Sequence, residues 1–400
     1  MCKLFTIGED LNTGIALYSF LQMLVLVLSI SFGLSLIQNL RIPRWLTATA
    51  FVYFSLFPYF SVLGVSSTKD VLFGALFLVA FLLGIKTAEN KKSRRVPCFF
   101  SATLGLSFLF RNNAVYAAVA ECVLLLILLP ATRKKRFAEK VLLVIFAAVL
   151  IAEMGFAGLK QVTGAKSGGV AEMLGVPIQQ LARVYNYEYE KLDQDDLNTL
   201  AYYIPQAVLP DYNDVLSDPV KTFFYSENFH ESPAAFFKFW LSVGKKCPFT
   251  YADSFLRNTA PLWKIGDRSN LRINNDYLAV DFIRIENSVK RDSKLPVLKN
   301  TLDRLIGKGE ILDTPVLSIQ ASMALYFWLL FLTTWIMLAE KQYEMLYLPL
   351  LPLMYMLTLL FGPCIDPRYC LAPVLCTPFV LAYLIHLKNT EQTVQNAESI

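Results

Sequence analysis

Three short charged clusters hold the residue types that could do chemistry in this chain. They are Lys69 with Asp70, Arg111 with Asn112 and Asn113, and Asp366 with Arg368 and Tyr369. Each sits where an apolar run begins or ends. A phosphate or pyrophosphate group needs several donors around one point; arginine offers a planar fork and lysine a point charge. Lys69, Arg111 and Arg368 supply that set if the three run ends meet on one face. The competing reading is local: cations at run ends also anchor at a lipid surface, paired as Lys69 with Asp70 and Arg368 with Asp366.

Two further acids fall inside apolar runs, Glu121 near the middle of one and Glu153 in the next. An intramembrane acid is a candidate for a proton or ion relay. Its alternative is a carboxyl group hydrogen-bonded inside a helix bundle. Other matches are weaker. Gly164-Ala165-Lys166-Ser167 resembles the end of a phosphate loop but lacks the earlier glycine spacing and a preceding strand. Asp195 and Asp196 read as a solvated helix start before Leu197, Leu200 and Ala201. The two histidines, His230 and His386, are too far apart for a histidine-rich metal site. The seven cysteines form no CxxC pair, and only Cys364 and Cys370 are spaced so that a bridge could form.

The elements that must position these residues are apolar. The 400 residues are 55% hydrophobic and 17% charged, a composition of polytopic membrane proteins. The formal charge of +5 does not point to nucleic acid, because the basic residues cluster in short connections such as 91–95 and 133–136. Hydropathy predicts about nine spans, at 14–39, 46–65, 71–86, 96–110, 114–130, 141–159, 317–338, 346–361 and 371–387. The fold class expected is therefore an all-α integral membrane bundle.

Lys and Arg alternate between connections. Arg41 and Arg44, the runs 86–95 and 133–140, Lys341 and Lys388 fall on one side, which the positive-inside rule makes cytoplasmic. The clusters above then face outward, together with the long polar stretch. The organisation expected is a six-span block over 1–159, an extracytoplasmic helical domain over 160–316, three spans over 317–388 and a cytoplasmic tail over 389–400. The polar stretch has helical periodicity, as in Phe236, Phe237, Trp240 and Leu241, then Tyr251, Ala252, Phe255 and Leu256. Ser232-Pro233 and Asp218-Pro219 read as helix starts, and 297–306 as a short amphipathic helix.

Six segments resemble a known group of proteins: Ser67-Thr68-Lys69-Asp70, Phe110-Arg111-Asn112-Asn113, Leu174-Gly175-Val176-Pro177-Ile178-Gln179-Gln180, Ser217-Asp218-Pro219-Val220-Lys221, Tyr251-Ala252-Asp253-Ser254-Phe255-Leu256 and Asp366-Pro367-Arg368-Tyr369. They are similar to an uncharacterised bacterial family of polytopic membrane proteins placed near the C-type (GT-C fold) glycosyltransferases, whose members include protein mannosyltransferases, aminoarabinose transferases and oligosaccharyltransferases. The resemblance implies transfer of a sugar from a polyprenyl-phosphate carrier to an envelope glycan, lipid or protein acceptor at the outer face of the plasma membrane. It implies phosphate binding by Lys69, Arg111 and Arg368, substrate contacts by Asn112, Asn113, Asp366 and Tyr369, and an acidic general base, for which Asp70 and Asp10 are the candidates. A divalent cation is compatible with the site. The family's first helix and most of its first outer loop have no counterpart here beyond Glu9 and Asp10, so the chain is expected to be incomplete, or inactive as encoded, if not an enzyme with Asp70 at its centre. A transporter or lipid flippase using Glu121 and Glu153 is the second reading. A non-catalytic membrane scaffold is the third.

Overall fold

The computed structural model describes residues 11–90, 92–132, 134–164, 169–267, 293–302, 304, 310–313 and 315–398. Among these every regular element is a helix. The first half contains α1 (Leu11–Gln38), α2 (Arg44–Leu56), α3 (Pro58–Val65), α4 (Lys69–Glu89), α5 (Arg95–Phe108), α6 (Asn113–Leu128) and α7 (Lys135–Thr163). An insertion follows, with α8 (Val170–Met173), α9 (Gly175–Tyr187), α10 (Gln194–Tyr203), α11 (Asp218–Lys221), α12 (Ser226–Glu231), α13 (Pro233–Lys246), α14 (Pro248–Trp263) and α15 (Pro296–Leu302). The chain closes with α16 (Pro315–Ala321), α17 (Met323–Ala339), α18 (Tyr347–Thr358) and α19 (Leu371–Glu398).

Every apolar run expected to span is helical, but the count of nine is not reached by length. Among the described residues five helices are long and apolar enough to cross a membrane, or up to seven if each bent pair is one span. The reasons are local. Phe57, held extended at ψ 114° by the proline that follows, breaks α2 from α3 with a 48° bend. Ser322, extended at ψ 116°, breaks α16 from α17 with a 66° bend. The Gln320 carbonyl beside this break accepts from the Tyr326 hydroxyl at 2.8 Å. The 14 residues of α5 rise only about 21 Å, and α18 tightens into a single 3₁₀ turn, Leu359–Phe361.

The spans are unequal. The candidate windows of α4 and α19 are 72% and 78% buried, against 28–39% for α1, α6 and α7. The first two therefore form the axis of the bundle, and the others present one face outward, as helices in contact with lipid do. Close packing at the axis uses Gly74, where an added Cβ would stand 3.0 Å from Leu371 of α19.

The insertion has its own core, in which Ile178, Leu181, Leu200, Tyr203, Leu209, Phe224, Phe236 and Val243 are buried together. Its helix starts follow the sequence signals. Asp193 and Asp196 close a reciprocal capping box on α10, and Ser232 accepts from the Ala235 amide ahead of α13. The insertion is tied to the bundle at two places. Ser217 donates through its amide (3.1 Å) and hydroxyl (2.9 Å) to the Pro363 carbonyl, and the Trp328 indole donates to the Trp263 carbonyl at 2.7 Å. Cys364 and Cys370 are separate free thiols, so the bridge their spacing allowed does not form.

Candidate functional site

Asp70 occupies the first turn of α4, where the unpaired amides of the helix start favour a negative charge. Its side chain is 4% exposed and faces two arginines. Arg111, in the turn between α5 and α6, reaches Oδ1 through Nε at 2.7 Å and Nη2 at 2.6 Å. Arg368, in the 3₁₀ turn Pro367–Cys370 before α19, lies 3.8 Å from Oδ2. The Asp366 side chain caps that turn by accepting from the Arg368 amide at 2.9 Å, and its Oδ2 lies 3.1 Å from the Arg368 Nε.

Tyr369 organises the same point from below. The Arg111 guanidinium stacks over its ring at 3.9 Å, Arg368 lies 5.0 Å from the ring centroid, and the Tyr369 hydroxyl accepts from Arg368 at 3.2 Å. The turn is held in place by the Tyr355 hydroxyl on the Tyr369 carbonyl (2.9 Å) and the Tyr59 hydroxyl on the Pro367 carbonyl (2.6 Å). Burial pulls the Arg111 guanidinium down, but Tyr355, Asp70 and Tyr369 around it more than reverse this and hold it above its ordinary value.

Arg111 and Tyr369 of this cluster line a cavity of about 810 Å³. Lys69, Arg111, Asn112, Asn113 and Tyr369 form its polar side, and Ala120, Met354, Leu357 and Phe361 its apolar side. Asn113 donates to the Thr358 hydroxyl at 3.1 Å, joining α6 to α18 at the wall. Asn112 is exposed, and so is Lys69, which makes no ion pair among the described residues. The roof comes from the insertion. Glu172 lines the cavity and pairs at 2.9 Å with Lys221, which in turn lies 2.6 Å from Asp218. Burial alone would lower the Lys221 ammonium; its bonds to Asp218 and Glu172 raise it above its ordinary value. Gly175 lets the insertion approach here, since an added Cβ would stand 3.0 Å from the Pro363 Cα. Cys364 also lines the cavity, and burial pushes its thiol up to about 12, which leaves it unreactive at neutral pH.

Of the residues singled out in the sequence, Asp70, Arg111, Asp366, Arg368 and Tyr369 meet in one cluster, and Lys69, Asn112 and Asn113 line the cavity beside it. Asp10 lies outside the described residues, as do Glu9 and the 165–167 part of the phosphate-loop-like stretch. The local pairing expected of surface anchors holds for Asp366 with Arg368 but not for Asp70, whose partner is Arg111. Glu121 is fully buried in α6 with neither carboxylate oxygen hydrogen-bonded, whereas Glu153 is exposed on α7. No hydrogen bond or ion pair joins the two among the described residues. Tyr59, Tyr355, Thr358, Glu172 and Lys221 were not foreseen. The three in apolar runs carry a lone polar atom with no neighbouring signal, and Glu172 and Lys221 read as ordinary surface charges.

Both Asp70 oxygens face a guanidinium, so a divalent cation at this carboxylate would have to displace an arginine. Among the described residues no group of three or more His, Cys, Asp or Glu side chains is placed to hold a metal. A family model described as a family of unknown function (DUF6020) matches residues 4–398. No curated protein and no solved structure matches the chain.

Proposed function

We propose that this chain, which belongs to the DUF6020 family, is a membrane glycosyltransferase that takes a sugar from a polyprenyl-phosphate carrier and passes it to a cell-envelope acceptor at the outer face. The observation that carries this reading is the convergence of Arg111 and Arg368 on Asp70 beside a cavity of about 810 Å³ lined by Arg111, by Lys69, which makes no ion pair among the described residues, and by apolar side chains. A lipid-linked phosphate has the same division, an anionic head and an apolar tail. In this reading the insertion is extracytoplasmic, each of the nine apolar segments crosses the bilayer in a GT-C-like bundle, and the C-terminus is cytoplasmic.

The chemistry follows from the charges. The acceptor oxygen attacks the anomeric carbon, the bond from that carbon to the carrier phosphate breaks, and the electron pair leaves with the phosphate. Lys69, Arg111 and Arg368 stabilise the charge that develops there. Asp70 is enclosed by the arginines, so it can take the acceptor's proton only after they turn toward the phosphate; binding of the carrier and exposure of the base are thereby coupled. No step is assigned to a metal.

The test is transfer by the purified full-length chain in lipid nanodiscs supplied with a polyprenyl-phosphate sugar. Arg368→Ala should lower transfer by about tenfold or more, the range for loss of one charge-stabilising donor. Undiminished transfer in that variant removes Arg368 from the phosphate role. Retained carrier binding without transfer in the unsubstituted chain would favour a non-catalytic scaffold. A transporter or flippase draws support from the unpartnered Glu121 carboxyl group; that reading requires lipid or ion movement to be lost in Glu121→Gln while the arginines are dispensable.

A further inference from the structure

The cavity is charged with opposite signs at its two ends. At its floor two cations line the wall, Lys69 and Arg111, with Asp70 behind Arg111 and the Arg368–Asp366 pair beside it, so the excess is positive. At its roof one lysine, Lys221, stands between two carboxylates, Glu172 and Asp218, so the excess is negative. Lys221 is 6% exposed and lies behind Glu172, whose side chain is 58% exposed and forms part of the cavity wall. A purely anionic headgroup placed on Lys69 would meet repulsion from Glu172, and a neutral sugar would leave that charge unanswered.

We propose that the headgroup taken by this cavity is zwitterionic: a lipid-linked phosphate that also bears a primary ammonium group, with the phosphate toward Lys69 and the ammonium toward Glu172. This rests on the phosphate reading above and adds to it the second charge. An ammonium at the roof shares Glu172 with Lys221 or takes it over, and Lys221 then keeps Asp218 as its other partner at 2.6 Å. The exposed ring of Tyr116, also on the cavity wall, gives the cation a π face. The shared chemistry occurs in ethanolamine phospholipids and in polyprenyl phosphates carrying an amino sugar.

The detergent-purified full chain is titrated with both of these lipids and with their N-acetylated forms, which keep the phosphate and lose the positive charge. Binding is read by native mass spectrometry. The unsubstituted chain should prefer each bound ammonium form over its N-acetylated counterpart by about fivefold, the worth of one partly exposed ion pair, and the tighter of the two ammonium lipids identifies the source. Glu172→Gln should remove that preference while leaving the N-acetylated lipids bound as before or tighter. Asp218→Asn, which leaves Lys221 to Glu172 alone and so cancels the negative excess of the roof, should weaken that preference. Equal binding of ammonium and N-acetylated forms overturns the proposal, as does an equal loss for both in Glu172→Gln, or an Asp218→Asn variant that keeps the full preference. Lys69→Gln should weaken all four lipids. If it binds them like the unsubstituted chain, the phosphate reading itself fails and the proposal with it.

Discussion

The cluster at Asp70 and the cluster at Arg183 are mirror images in charge. At the cavity, one buried carboxylate lies against two arginines, one of which stacks on Tyr369. In the insertion, one buried arginine lies between two carboxylates: Arg183 bonds to Asp214 at 2.9 Å and to Asp253, and stacks over Tyr187 at 4.4 Å. The second cluster is then closed by Arg257, which reaches Asp253 at 2.9 Å and Asp214 at 3.2 Å. Two cations and two anions cancel there. At the cavity Asp70 and Asp366 likewise balance Arg111 and Arg368, and the surplus positive charge is Lys69, exposed beside an open volume. Similar parts therefore make a clamp in one place and a candidate binding site in the other; the difference lies in the additional lysine and in the cavity it lines.

The comparison is most exposed to failure at Asp70. Replacing it with Asn leaves Arg111, 11% exposed, facing a neutral amide inside the bundle. The expected loss is about 3–5 kcal/mol of stability, the cost of removing one partner of a buried pair. Thermal unfolding of the detergent-solubilised protein measures it, and a change under ~1 kcal/mol would mean that the carboxylate is far better hydrated than its burial indicates.

Arg183→Leu should cost less, about 1–2 kcal/mol, even though Arg183 is as buried as the cavity residues. Its partners Asp214 and Asp253 are 36% and 44% exposed and can turn to water and to Arg257. Limited proteolysis should show faster cleavage within the insertion alone. If Arg183→Leu proves as damaging as Asp70→Asn, the distinction between an enclosed hub and a surface-backed clamp is lost.

A smaller effect is expected from acid. Hydrogen bonding from Lys191 at 2.8 Å, then from the Cys247 thiol, holds the Glu188 carboxyl down at about 2. A carboxyl group lowered by folding contributes stability in full above its ordinary value of 4.5, and that contribution disappears as pH falls through about 2. The insertion should therefore weaken between these limits, as seen in the fluorescence of partly buried Trp240, and Glu188→Gln should flatten that part of the titration. An unchanged slope would show that other acids govern this range.

Much of this molecule was legible from local signals. Long apolar runs require helices, since backbone groups in hydrocarbon must bond within their own segment, and all of the expected runs are helical. The caps at Asp193 and Ser232 follow from side chains that bond amides within a few residues. The break before Pro58 follows from a clash with the preceding residue. The break at Ser322 does not; no proline or glycine marks it, and its stability comes from Tyr326 and from the Gly266 amide, which donates to the Ser322 hydroxyl at 3.3 Å.

For the candidate site, the sequence alone determined which residues carry charge at the run ends, because the cost of burying an unpaired charge confines it there. The packing of α4, α6 and α19 decided that Asp70 answers Arg111 instead of its neighbour Lys69, which makes no ion pair among the described residues. It also decided that Glu172 of the insertion becomes one wall of the cavity. Pairing between distant segments depends on helix crossings and on the seat of Gly175 against Pro363, and neither leaves a periodic trace in the chain.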